Sequence, residues 1–117
     1  MSYTSILSTL VSAQVQNSAI ESTRQAYRDI DAVHDYIARD NPIAAQGVLD
    51  KIEAMIDHLP RNPALGRAGR VMRTRELVVP SVPYIVVYSL EEEFIDILAI
   101  IHTARRWPVR FRRSQHG

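Results

Sequence analysis

The apolar residues of this chain change their period once, and that change fixes the fold class. From Ser22 to Leu59 they recur at helical steps, and from Arg75 onward they run in β-rich blocks. Ala26, Ile30, Val33 and Ile37 share one helical face. Ala45, Leu49, Ile52, Ile56 and Leu59 make a second. Ser22 or Thr23 suits the cap of the first helix. "RDNP" ends it and starts the next, with Asn41 as cap and Pro42 in the first turn. Pro60 and Pro63 stop the second helix. The pattern predicts an αα-hairpin over 22–39 and 42–58.

Beyond it, "RELVV", "YIVVY" and "FIDILAII" are rich in β-branched and aromatic residues and read as strands. Their links, "PSVP" and "SLEEE", are short enough to make neighbours antiparallel. The sheet needs a cover, and the hairpin is the large apolar surface available. The expected class is therefore α+β, an N-terminal α-helical hairpin packed on a small antiparallel β-sheet. The domain is read as residues 22–108. Residues 1–21 are read as an N-terminal extension in which Ile6, Leu7, Leu10 and Val11 hold helical spacing while "VQNSAI" suits a short strand. Residues 109–117 form a basic tail.

Several function classes drop out early. No run of eighteen apolar residues exists to span a membrane. The first residues lack the basic stretch that opens a secretion signal. Cysteine is absent, which excludes disulfides, thiolate metal sites and a cysteine nucleophile. These features suit the cytoplasm. His34, His58, His102 and His116 show no metal-ligand spacing, and no P-loop, GxGxxG or GxSxG is present, so neither metal nor cofactor is expected.

Net charge is +1, but it is unevenly placed: residues 1–57 carry −4 and residues 58–117 carry +5. Every basic residue of the second half is arginine, whose planar fork suits carboxylates and phosphates. One set, Arg67, Arg70, Arg73 and Arg75, precedes and enters the first clear strand, where Arg73 and Arg75 are expected to share a face. Gly66 and Gly69 permit close backbone approach there. This set reads equally as a site for an anion or acidic peptide and as a solvated loop with one arginine paired to Glu76 or to the "EEE" turn. A second set, Arg105, Arg106, Arg110, Arg112 and Arg113, surrounds Trp107 and Phe111. Arginines interleaved with aromatics suit phosphate contacts and stacking. A solubilising tail with Trp107 as a packing anchor accounts for them as well.

RNA cleavage needs a base, an acid and a cation for the phosphate. Glu76, His102, Tyr84 and Arg105 have the right chemistry, although their spacing does not show that they converge. Tyr84 and Tyr88 share a strand face, which is more often packing than catalysis.

The segments "DIDAVHDYIARDNPIAA", "LPRNPALGRAGRVMRTRELVV", "PYIVVY" and "ILAIIHTARRWP" occur in the order found in the RelE/ParE superfamily of toxins from type II toxin–antitoxin modules, also called plasmid stabilisation proteins. The chain resembles that superfamily from Ser22 to Pro108. The resemblance implies a helix hairpin on a small sheet, a bacterial cytoplasm and a cognate antitoxin in a hetero-oligomer. It implies one of two targets: ParE-like members inhibit DNA gyrase, and RelE-like members cut messenger RNA on the ribosome. The nuclease members typically carry an arginine directly after the aromatic residue or histidine of the strand matching "YIVVY". Ile85 stands there in this chain, so the resemblance is nearer the ParE side. His102 and Arg105 match polar positions that some nuclease members keep. On the ParE-like reading, Arg70, Arg73, Arg75, Arg105, Arg106 and Trp107 are the residues expected to meet antitoxin or target.

Overall fold

The computed structural model describes residues 19–104 and 111–113. The elements run β1 (Ala19–Ser22), α1 (Arg24–Ala38), α2 (Pro42–Asp57), β2 (Arg67–Ala68), β3 (Arg75–Val78), β4 (Tyr84–Leu90) and β5 (Phe94–His102). Both helices begin where their caps predict. The side-chain oxygen of Thr23 accepts from the N–H of Ala26, and that of Asn41 accepts from the N–H of Ala44. Pro42 opens α2, where its missing N–H costs nothing.

The three strands expected from the sequence are present and pair antiparallel, β3 with β4 and β4 with β5. The sheet is larger than that trio. It has five strands in the order β1-β5-β4-β3-β2, and β1 lies parallel to β5, which makes it mixed. β1 takes Ala19, Ile20 and Glu21 from the stretch read above as an extension. Ala19 and Ile20 come from "VQNSAI", which suits a short strand, but the neighbour that places them, β5, lies far along the chain. The readings made for Ile6, Leu7, Leu10 and Val11 fall outside the described residues.

The hairpin covers one face of the sheet. Ala26, Val33, Ile52 and Leu59 pack against Leu77, Val86, Tyr88, Ile95, Ile97 and Ile100 in one buried cluster, with Ile30, Ile37, Leu49 and Ile56 at its border. The other face holds Ile85, Val87, Leu98, Ala99 and Ile101, with Phe111 against them. β4 is thus buried on both sides, as its unbroken apolar run predicts.

A register shift falls opposite Val87 and Tyr88, which pair with Ala99 and Ile97 and leave Leu98 as the extra residue. This bulge changes which residues face the helices: Ile95 and Ile97 before it, Ile100 after it. It also frees backbone groups that α1 then takes. The hydroxyl of Thr23 donates to the carbonyl of Leu98 at 2.9 Å, and the N–H of Ile100 donates to Asp29 Oδ2 at 2.9 Å. Helix α1 is therefore tied to β5 by hydrogen bonds as well as by apolar contact.

Candidate functional site

The two ends of the sheet carry different chemistry. At one end, Glu76 of β3 is buried, with its side chain 2% exposed. Its carboxylate accepts from both neighbouring guanidinium groups: Arg67 Nη2 to Oε1 at 3.1 Å and Arg70 Nε to Oε2 at 3.1 Å. Burial pushes the Glu76 carboxyl up, but the backbone N–H of Arg70 and the two guanidinium groups outweigh it and hold the group below its ordinary value. A carboxylate held so firmly as an anion is a weak proton acceptor.

The other arginines of this set divide. Arg75 donates through Nη1 to the carbonyl of Gly66 at 2.6 Å. The Tyr88 hydroxyl beside it donates to Pro63 O at 2.7 Å and accepts from the N–H of Gly66 at 2.8 Å. These bonds draw the 60–66 loop onto the helix side of the sheet. Gly66 is required there: a Cβ would stand 2.8 Å from the Tyr88 ring and 2.9 Å from Glu76 O. At Gly69 a Cβ would collide with the side chain of Thr74. Arg73 does not share a strand face with Arg75. It precedes β3, at φ 61°, in a turn that leaves its side chain exposed.

At the opposite end, Tyr84 and His102 face each other across β4 and β5, their rings edge-to-face with centroids 5.3 Å apart. With Asp29, Val33, Tyr36 and Ile100 they line a cleft of about 360 Å³ between α1 and the sheet. His102 Nδ1 accepts from the N–H of Ala104 at 3.1 Å. In the neutral ring this assigns the proton to Nε2. The ring thus presents a donor to the cleft, and its basic nitrogen is already engaged. Asp29 is occupied too: Oδ1 accepts from Gln25 Nε2 at 2.7 Å and Oδ2 from Ile100.

Glu76 does not join Tyr84 and His102. It pairs with Val87, whose side chain belongs to the face away from the helices, whereas Tyr84 lies in the helix-side cluster. It is also two strands across from β5 and three residues along from His102, roughly 14 Å away at ordinary strand spacings. Ile85 is buried in the far-side cluster. Arg105, Arg106 and Trp107 lie outside the described residues.

Asp29 is the residue the sequence reading missed. A signal existed: it stands three after Ala26 and four before Val33, inside the buried stripe of α1, where an acidic side chain needs a partner.

A model of the "ParE toxin of type II toxin-antitoxin system, parDE" matches residues 20–107. The chain belongs to the ParE toxin family. A protein named toxin Y4kP from Sinorhizobium fredii is 39% identical to this ParE-family chain over 89 residues, covering 76% of it and 92% of the relative. One named toxin RelE2 from Caulobacter vibrioides is 32% identical over 83 residues, covering 71% and 92%. The solved structure described as a chromosomal ParDE system from P. aeruginosa has the same fold, with a TM-score of 0.68 at 24% identity over 74% of this chain and 97% of that one. This ParE-family protein is therefore a toxin of a type II toxin–antitoxin system with the RelE/ParE fold. Among the described residues no helix is long and apolar enough to cross a membrane.

Proposed function

We propose that this toxin acts as a ParE-like inhibitor of DNA gyrase, through protein contact rather than RNA cleavage, and is held in check by a cognate antitoxin in the cytoplasm. The observation that carries this reading is the separation of Glu76 from Tyr84 and His102 onto opposite faces of the sheet. A phosphodiester cannot be reached from both. Ile85 adds to it: an apolar side chain buried beneath Phe111 supplies no charge where a nuclease of this superfamily carries a cation. Loss of one such group typically lowers a rate by about 10² to 10³.

The antitoxin reading rests on the family and on Arg73. Arg67, Arg70 and Arg75 are engaged within the fold, whereas Arg73 is exposed on a turn. Arg67 and Arg70 are also exposed, but among the described residues Arg73 alone of that set makes no hydrogen bond or ion pair within the fold, which leaves it to a partner carboxylate.

The test is to incubate purified protein with gyrase and relaxed plasmid and, separately, with translating ribosomes. Blocked supercoiling with intact messenger RNA is the expected result. Codon-positioned cleavage with normal supercoiling would overturn the reading and assign the reaction to the Tyr84–His102 cleft with Arg105.

A further inference from the structure

At the first turn of α1, before the part of the helix that lines the Tyr84–His102 cleft, the surface opens into a cleft of about 820 Å³. Four of its lining residues are arginines from two distant parts of the chain: Arg24 and Arg28 from α1, Arg112 and Arg113 from the C-terminal segment. Arg24 and Arg28 come from the half of the sequence that is acidic on average, so charge counting gave no hint of them. Among the described residues no carboxylate pairs with any of the four. Glu21, also in the lining, already has a partner. Arg113 reaches the carbonyl of Met72 through Nη2 at 3.4 Å, while its Nη1 is shut off from solvent with no hydrogen-bond partner. A guanidinium N–H in that state costs free energy until an acceptor arrives.

We propose that this cleft binds the phosphate of a nucleotide, with Tyr27 against the base. Four guanidinium forks around one cavity match a group that gathers up to three acceptor oxygens and more than one charge on a single atom. Carboxylates on a peptide deliver one charge per side chain and are spread along a backbone. Tyr27 lines the same cleft and is 65% exposed, so its ring face is open to stacking. The volume falls within the range of small-ligand sites, about 300–1,000 Å³. The end of α1 is a secondary help, because Thr23 already caps it. A free nucleotide and the 5′-phosphorylated end of a single strand share this chemistry, whereas an internal phosphodiester carries one charge on two free oxygens. The site stands apart from the gyrase reading and is tested without gyrase.

The experiment titrates the purified full-length protein with ADP, with inorganic phosphate, and with 5′-phosphorylated eight-nucleotide oligo-U and oligo-dT carrying a 3′ fluorophore, over a series of salt concentrations. ADP and an oligomer binding alike identify a free-nucleotide site, and an oligomer binding alone identifies a strand site. Arg24→Ala with Arg28→Ala is expected to weaken binding at least tenfold. For the oligomers it should also lower the slope of log K against log salt, by at most about 0.7, the value for one phosphate no longer neutralised on a single strand. Both side chains are exposed, so folding is expected to survive, and circular dichroism checks it. Arg24→Lys with Arg28→Lys should keep the salt slope and lose affinity, because charge remains and the fork does not. Tyr27→Ala should weaken nucleotide binding about fivefold or more and leave inorganic phosphate unaffected. The proposal is overturned by failure of all four ligands to bind, by binding indifferent to the double alanine variant or to Tyr27→Ala, or by poly-glutamate competing as well as nucleotide. The last result would make the cleft an acidic-peptide site.

Discussion

The backbone N–H of Arg70 donates to Glu76 Oε2 at 2.7 Å, so the carboxylate that ties down two arginine side chains also sets the path of the loop between β2 and β3. One buried anion organises the whole turn that presents Arg73. Glu76→Gln should keep the shape and lose the charge-assisted bonds, costing about 1.5–3 kcal/mol in urea unfolding at pH 7.

The same carboxylate predicts a pH dependence. Its folded-state value is lowered, so its contribution is fully present above the unfolded value of about 4.3 and is lost as pH falls through the folded value. Stability of the wild type should therefore drop toward that of Glu76→Gln below about pH 4. Denaturation midpoints of the two proteins between pH 3 and 7 check it, and a constant gap would contradict it.

Tyr88→Phe removes a hydroxyl that satisfies two backbone groups at once, Pro63 O and Gly66 N. With Tyr88 fully buried, water cannot readily replace it. The expected cost is about 1–3 kcal/mol. Amide hydrogen exchange should quicken at Gly66 in particular, and an unchanged rate there would show that Arg75 alone holds the loop.

Thr23 has two tasks, capping α1 and donating to Leu98 at the bulge of β5. Thr23→Ser keeps both bonds, and Thr23→Ala loses both. The alanine variant should lose more than an N-cap alone, about 2 kcal/mol or slightly above, and the serine variant much less. Thermal unfolding of the pair measures the difference.

Arg73→Glu reverses an exposed charge without touching the Glu76 cluster. Association with the antitoxin should slow and its salt dependence flatten, while dissociation changes little. Stopped-flow association at low and moderate salt reads this directly. The matching change at Arg75 would instead disturb the 60–66 loop, which makes Arg73 the cleaner probe.

Both helices, their caps and the three antiparallel strands from Arg75 onward were legible because each depends on local rules: apolar spacing, Asn41-Pro42, and β-branched runs. β1 was obscured because its place is set by residues 94–97, far along the chain. The arginines behaved likewise. Composition marked Arg67, Arg70, Arg73 and Arg75 as a group, yet only geometry separates those that clasp Glu76 or a carbonyl from Arg73. Glu76 and His102 both carry chemistry suited to catalysis, and nothing in their spacing says that strand pleating puts them on opposite faces.

The bond between Thr23 and Leu98 joins residues 75 positions apart, and β1 finds its neighbour only in β5. Such long-range closure slows folding and postpones it until β5 has been synthesised. A chain interrupted before Phe94 lacks β5, the strand that joins β1 to β4, and with it Ile95, Ile97 and Ile100 from the surface that covers the apolar helix face. Truncated translation products should thus be recognised as unfolded and degraded, so that the cell is exposed to the toxin only in finished copies, when an antitoxin made in parallel has had the same time to meet it.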